Sequence, residues 1–227
     1  MKPYYQDDLV TLYHGDCLEV IEWTTADVLV TDPPYGIAHA TRETYGGNMG
    51  GKGAVSEKNV IANDENTQAR DEVLRLWGPK PFIMFGAWKI QRPEPIDSLL
   101  VWHKAGMPPG PTNAAFMTQH EEIYIHGSGF RKSAPPLRSV ITTKEHRPTA
   151  VQEAGHPTPK PIGLMETLID RCIQGVIAEP FAGSGATLIA ARNLGKKAIG
   201  VELDERYCEQ IATRLSQQAF DLEGITA

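Results

Sequence analysis

Cysteine is scarce in this chain of 227 residues: Cys17, Cys172 and Cys208 are odd in number, far apart and without a CxxC pair. Neither a disulfide framework nor a metal centre is expected, and the three read as reduced structural thiols. No apolar run approaches the roughly 18 residues of a membrane span, and the stretch from Met1 to Val10 has no apolar signal-peptide core. A cytoplasmic protein with no membrane partner is the expectation. Internal repeats are missing. With 41% hydrophobic and 22% charged residues, close to globular averages, so is any sign of a coiled coil or a wholly disordered chain. At roughly 100 to 200 residues per domain, the length predicts one compact domain over residues 1–227.

Net positive charge is missing too, and −6 argues against a protein that coats nucleic acid over its whole surface. The basic residues are unevenly placed, however. Between Gly127 and Lys160 stand Arg131, Lys132, Arg138, Lys144, Arg147 and Lys160 against only Glu145 and Glu153, a local balance of +4. A basic segment on an acidic body can contact a phosphate backbone at one place; it can equally be a solvated loop.

Short β-branched runs alternate with helical stretches, the signal for an α/β fold with a mainly parallel sheet covered on both faces. Seven strands are predicted, at 10–14, 27–31, 81–85, 99–103, 122–126, 176–178 and 198–202, with helices at 64–76, 161–173, 185–194 and 205–218. Two stretches resist the pattern. A glycine-rich one at about 37–62, with Gly46, Gly47, Gly50, Gly51 and Gly53, is too permissive in backbone for a regular element. The other is the basic segment at about 127–155, rich in Pro, Thr and Ser.

Near the C-terminus, VIAEPFAGSGATLIAA reads as a buried strand, a Gly-Ser-Gly turn and an Ala-rich helix. Gly183 and Gly185 let the backbone bend sharply and approach a ligand, and the helix start directs amides toward it. The following strand ends at Glu202, whose carboxylate can accept both hydroxyls of a ribose. Strand, turn, helix and acid together point to a nucleoside cofactor; a purely structural tight turn is the alternative. The Lys of a GxxxxGK[ST] phosphate loop is missing, which disfavours ATP.

A second motif, DVLVTDPPY at 27–35, is an apolar strand ending in an acid, two prolines and an aromatic. An exocyclic amine on adenine or cytosine is a poor nucleophile because its lone pair is delocalised into the ring. A catalyst must therefore hold the NH2 by its hydrogens and favour a tetrahedral nitrogen. Asp32 offers a carboxylate and Pro33 a carbonyl, while Pro33 and Pro34 fix the turn and remove competing amide donors. Tyr35 can stack on the base, which would have to leave a duplex to be reached. A rigid strand-to-loop turn with a capping Asp is the plainer alternative.

Asp-Pro-Pro-Tyr at 32–35 and Phe-Ala-Gly-Ser-Gly at 181–185 resemble the S-adenosylmethionine-dependent DNA amino-methyltransferases of the N6-adenine/N4-cytosine family, in the motif order of its permuted β group. The resemblance implies a Rossmann-like methyltransferase fold with circularly permuted motifs, S-adenosyl-L-methionine as cofactor, and double-stranded DNA as partner. It extends to TLYHGDCLEV, where Asp16 would meet the cofactor adenine amine. It also covers HPTPKPIGLMETLI, where His156, Thr158 and Lys160 would line the methionine end, and AIGVELDERYCEQIATRL, which carries Glu202. Glu179, Phe181, Ser184 and Thr187 complete the implied cofactor site. Two positions depart from the pattern: Glu179 stands where the family usually has Asp, and Pro159 where it often has Gln. By the same resemblance the basic segment is a short target-recognition insertion, with Arg131, Lys132, Arg138 and Arg147 on phosphates or a guanine. A homodimer partner that helps read the target is an alternative. A bacterial or phage-infected host, and a place in restriction-modification, complete the implied setting.

The resemblance associates DPPY with adenine N6, although the same acceptors serve cytosine N4. A C5-cytosine enzyme would carry a nucleophilic Cys after Pro, and none of the three cysteines follows Pro. An RNA or protein-glutamine methyltransferase is a further alternative, the latter disfavoured by Asp32 in place of Asn. An inactive cofactor- or DNA-binding subunit is another. His103 and His126 read as structural histidines, and Trp77, Trp88 and Trp102 as core or loop anchors.

Overall fold

The computed structural model describes residues 1–36, 65–105, 116, 118–132, 136–144, 159–173 and 175–223, with side chains through Gln217. The chain runs β1 (Tyr5–Gln6), β2 (Val10–His14), a 3-10 turn (Glu22–Thr25), β3 (Val28–Thr31), α1 (Gln68–Trp77), β4 (Phe82–Gly86), β5 (Ser98–Lys104), β6 (His120–His126), β7 (Val140–Thr143), α2 (Ile162–Ile169), β8 (Ile177–Glu179), α3 (Ala186–Asn193), β9 (Ala198–Glu202) and α4 (Glu205–Glu223). The strands form one sheet in the order β1-β2-β9-β8-β3-β4-β6-β5-β7. From β2 through β9, β8 and β3 to β4 every pairing is parallel. β6 is antiparallel to both β4 and β5, and β7 returns parallel to β5.

Each strand expected from the sequence is present, and β1 and β7 extend the seven-stranded expectation to nine. β7 lies inside the basic stretch read as irregular. Its residues alternate between exposed and half-buried, with Val140 54% exposed, so VITT offers no apolar face to a periodicity argument. Pairing of Val140–Thr143 with Val101–Lys104 makes it a strand. The glycine-rich segment at 37–62 falls outside the described residues.

Successive strand residues point to opposite faces, and here both faces are buried. Val28, Val30, Ile83, Phe85 and Ile177 pack with α2, α3 and α4 through Leu164, Leu168, Leu188, Ile189, Ile211 and Leu215. Leu29, Phe82, Met84 and Ala178 pack on the other face with Trp23, Val73 and Trp77, the last two from α1. This explains why the strands read as unbroken apolar runs. α1 stops at Gly78, whose φ of 72° suits a residue without Cβ and whose N–H returns to the Leu74 carbonyl. Among the described residues no helix is long and apolar enough to cross a membrane.

Candidate active site

Because β2, β9, β8 and β3 are adjacent and parallel, the residues at their carboxyl ends share one edge of the sheet, the usual place for a ligand in such folds. Asp16 follows β2, Glu202 ends β9, Glu179 ends β8 and Asp32 follows β3. β6 and β5 add to the same edge: Glu122 pairs with Gly86, and His103 with His120.

At the β9 and β8 ends the glycine turn is closed by the protein itself. Glu202 Oε2 accepts the Gly183 N–H at 2.7 Å and Oε1 accepts the Asp204 N–H at 2.9 Å. The Gly185 N–H donates to the Ala182 carbonyl at 2.7 Å. Neither glycine amide is therefore left for a ligand, which corrects the expectation that the turn aims free amides at one. Gly185 has φ 77°, and a Cβ there would stand 2.8 Å from Ile211 Cγ1, so it is required by its left-handed backbone and by α4. The Gly15 N–H donates to the Glu202 carbonyl at 2.9 Å, tying the Asp16 turn to the end of β9. Asp16 Oδ1 caps that turn by accepting the Leu18 N–H at 2.9 Å.

Glu179 is 2% exposed. It accepts the Thr31 hydroxyl at 2.5 Å, the Thr187 hydroxyl at 2.7 Å and the Phe181 N–H at 3.1 Å. Burial outweighs these three bonds and pushes its carboxyl up to about 8. Burial likewise raises Glu202. Among the described residues neither carboxylate has an ion-pair partner. Two buried acids without a counter-charge, at the ends of adjacent strands, suit a ligand that brings its own hydroxyls and ammonium. S-adenosylmethionine has both, so the donor set fits that cofactor. The longer Glu179, in place of the family's usual Asp, is long enough to be held by Thr31 and Thr187 at once.

At the end of β3, Asp32 Oδ1 accepts the Tyr35 hydroxyl at 2.7 Å and Oδ2 accepts the Lys160 ammonium. Lys160 also lies 3.3 Å from Glu121 Oε2, the Tyr35 hydroxyl lies 3.0 Å from the same oxygen, and Lys104 bonds Glu121 Oε1. The Lys160 ammonium is 4.9 Å from the Phe85 ring centre and 5.9 Å from that of Trp102. Burial raises Asp32 against the pull of Lys160. Burial alone would raise Glu121 as well, but Lys160 and Lys104 hold it down at about 2. Tyr35 is thus engaged through its hydroxyl, and Lys160 stands on Asp32, a contact the sequence did not suggest. Glu121 and Lys104 were missed altogether. The available signal was a Glu-Glu pair opening an otherwise apolar strand, HEEIYIH.

The basic residues divide. Because β6 runs antiparallel to β4, Gly127 and Gly129 emerge beside Pro81, at the edge opposite Asp32. Arg131 lies there, its side chain bonded to Asp170 Oδ2 at 2.5 Å and its N–H to the Arg171 carbonyl at 2.6 Å. Lys132 is exposed on that side, and Arg138 is exposed just before β7. Arg147, His156 and Thr158 lie outside the described residues. On the Asp32 edge the exposed residues beyond β4 and β7 include Trp88, Lys89 and Lys144, and also Arg92, whose guanidinium is held by Glu122. Trp77 and Trp102 are core as expected; Trp88 is 55% exposed and is not.

Solved structures with the same fold include an M1.HpyAVI–SAM complex, at a TM-score of 0.63 and 20% identity over 91% of this chain and 99% of that one. The cytosine-N4-specific PvuII DNA methyltransferase matches at 0.63 and 16% identity over 94% and 88%. Among curated proteins, the type II methyltransferase M.ScaI of Streptomyces caespitosus is 26% identical over 97% of this chain and 86% of its own length. The putative methylase YubD of Escherichia coli K12 is 28% identical over 85% and 84%. The DNA methylase family model for N6/N4 enzymes matches residues 94–213, more than half of the sequence. With that match, the shared fold and two carboxylates fitted to the cofactor, the chain belongs to the N6/N4 family of S-adenosylmethionine-dependent DNA amino-methyltransferases.

Proposed function

We propose that this chain methylates an exocyclic base amine in duplex DNA, with N6 of adenine as the target. The observation that carries the reading is the placement of Asp32 on the same sheet edge as the uncompensated Glu179 and Glu202. Bound S-adenosylmethionine supplies an electrophilic methyl group on a sulfonium. Glu202 and Asp16 would hold the adenosine end by its ribose hydroxyls and amine, and Glu179 the ammonium. Asp32 and the Pro33 carbonyl would accept the two hydrogens of the target amine, drawing its nitrogen toward tetrahedral geometry. Transfer would join that nitrogen to the methyl group and leave the S–C bonding pair on the sulfur. One amine proton passes to Asp32 and on to solvent. No cysteine takes part, and Cys17, Cys172 and Cys208 are all buried.

A base in a duplex reaches Asp32 only by leaving the stack, at a cost of a few kcal/mol. Trp88, Lys89 and Lys144 surround that edge with an exposed ring and two cations, and we assign DNA approach to them rather than to Arg131. Adenine is favoured by the Asp-Pro-Pro-Tyr form of the turn. Cytosine N4 is the second reading, favoured by the fold shared with an enzyme described as cytosine-N4-specific. Incubation with labelled S-adenosylmethionine and unmethylated duplex DNA, followed by digestion to nucleosides and mass spectrometry, separates them. N6-methyladenine supports the proposal, N4-methylcytosine replaces its target, and neither product with cofactor bound refutes it.

A further inference from the structure

Lys160 reaches Asp32 from a segment 128 residues away in sequence, immediately before α2. Its side chain is 8% exposed. An ammonium enclosed by Tyr35, Phe85 and Trp102 is costly unless compensated, and two carboxylates compensate it: Asp32 by direct contact and Glu121 at 3.3 Å. Glu121 is in turn held by Lys104. Asp32 is therefore faced by Tyr35 from its own turn, Lys160 from the approach to α2, Glu121 from β6 with Lys104 from β5 behind it, and Glu179 from β8. Within this network Asp32 and Glu121 balance Lys160 and Lys104 in charge. Such a network adds little net stability over apolar residues of equal volume. Its effect is exerted on Asp32.

We infer that Lys160, anchored by Glu121, is a positioning residue that keeps Asp32 an ionised, aimed amine acceptor. The inference rests on the proposed role of Asp32. Tyr35 occupies one lone pair of Oδ1 and Lys160 one of Oδ2, which fixes the plane of the carboxylate and leaves each oxygen a second lone pair for an amine hydrogen. Without the ammonium, Asp32 would stand half-buried beside Glu121 with only a tyrosine hydroxyl, and would hold a proton more readily. Without the Glu121 charge, Asp32 would lose a repulsive neighbour and keep the cation to itself. The two changes act in opposite directions.

The test is the pH dependence of single-turnover methyl transfer from labelled S-adenosylmethionine to PCR-amplified, unmethylated duplex DNA. Wild type is compared with Lys160→Met, Lys160→Arg, Glu121→Gln and Asp32→Ala, each with its melting temperature and cofactor affinity. Lys160→Met is expected to move the acid limb of the profile up by about one pH unit or more, with transfer recovering at high pH. Lys160→Arg restores the limb, and Glu121→Gln moves it down. Unmoved limbs in folded Lys160→Met and Glu121→Gln overturn the inference. So does a tenfold loss of cofactor affinity in Lys160→Met with no shift in the limb, which would place Lys160 at the methionine end. If either variant fails to fold, the other and Lys160→Arg still report the direction. Transfer retained by Asp32→Ala refutes the underlying acceptor reading instead, and unmoved limbs beside an inactive Asp32→Ala remove only the present inference.

Discussion

Glu179→Gln isolates the charge of one buried side chain at almost constant shape. The carboxyl is 2% exposed and its value is pushed from 4.5 to about 8 by burial. Its three protein partners are all donors: the Thr31 and Thr187 hydroxyls and the Phe181 amide. A folded value above the unfolded one means that the folded chain holds the proton more tightly. The associated stability is fully present below the unfolded value and is lost as pH rises through the folded one. With these two values, keeping Glu179 buried costs about 1 kcal/mol near pH 5, about 3 kcal/mol near pH 7 and close to a ceiling of about 5 kcal/mol near pH 9. Glutamine resembles the protonated acid and does not ionise. Every other titrating group is common to both proteins and cancels in the difference.

Urea denaturation of wild type and Glu179→Gln across that range is therefore expected to show the variant gaining about 4 kcal/mol on wild type between about pH 5 and pH 9. Parallel stability curves would refute the buried, uncompensated state of Glu179. Calorimetric titration with S-adenosylmethionine near pH 7 in buffers of different ionisation enthalpy adds a second reading. If the incoming ammonium meets Glu179, wild type releases a proton on binding and Glu179→Gln does not.

The other predictions concern the cradle and the DNA edge. Glu202→Ala removes the acceptor of the Gly183 and Asp204 amides as well as the proposed ribose contact. Cofactor affinity by calorimetry is expected to fall about ten- to a hundredfold, and unchanged affinity would move the ribose site elsewhere. Gly185→Ala places a Cβ 2.8 Å from Ile211 Cγ1 at a φ of 77°, and is expected to lower stability by about 1 to 3 kcal/mol in thermal unfolding. Ile211→Val in the same chain should recover almost none of that loss, because valine keeps both γ carbons that the new Cβ meets and the backbone strain remains. Lys89→Ala with Lys144→Ala should weaken DNA binding and flatten the slope of log affinity against log salt by about 1 to 2. Arg131→Ala, on the opposite edge, should leave that slope unchanged, and an equal effect would place the DNA on the wrong side of this reading.

How much of this was legible in the sequence depended on the range of the interaction. β3, β4, β8 and β9 are buried on both faces, so their apolar runs announce them locally. The Asp-Pro-Pro-Tyr turn and the Gly-Ser-Gly turn are local too, each needing only its own residues to bend the chain. Glu202 could be placed because strand, turn, helix and strand follow one another without interruption. Lys160 and Glu121 belong to a different class, since their partners lie 128 and 86 residues away and meet only when β6 inserts antiparallel between β4 and β5. A single sequence carries no term for that pairing.

The same strand reversal explains the basic segment. Counting charges between Gly127 and Lys160 treats it as one patch, but a charge count has no direction. β6 delivers Gly127 and Arg131 to the edge away from Asp32, where Arg131 closes on Asp170 at the end of α2. β7, parallel to β5, then carries the chain back and sets Lys144 on the Asp32 edge. Two lysines of one basic run, Lys144 and Lys132, thus lie at opposite edges of the sheet. In a sheet that mixes strand directions, which cations face a phosphate backbone follows from the parity of antiparallel steps between them and the catalytic strand.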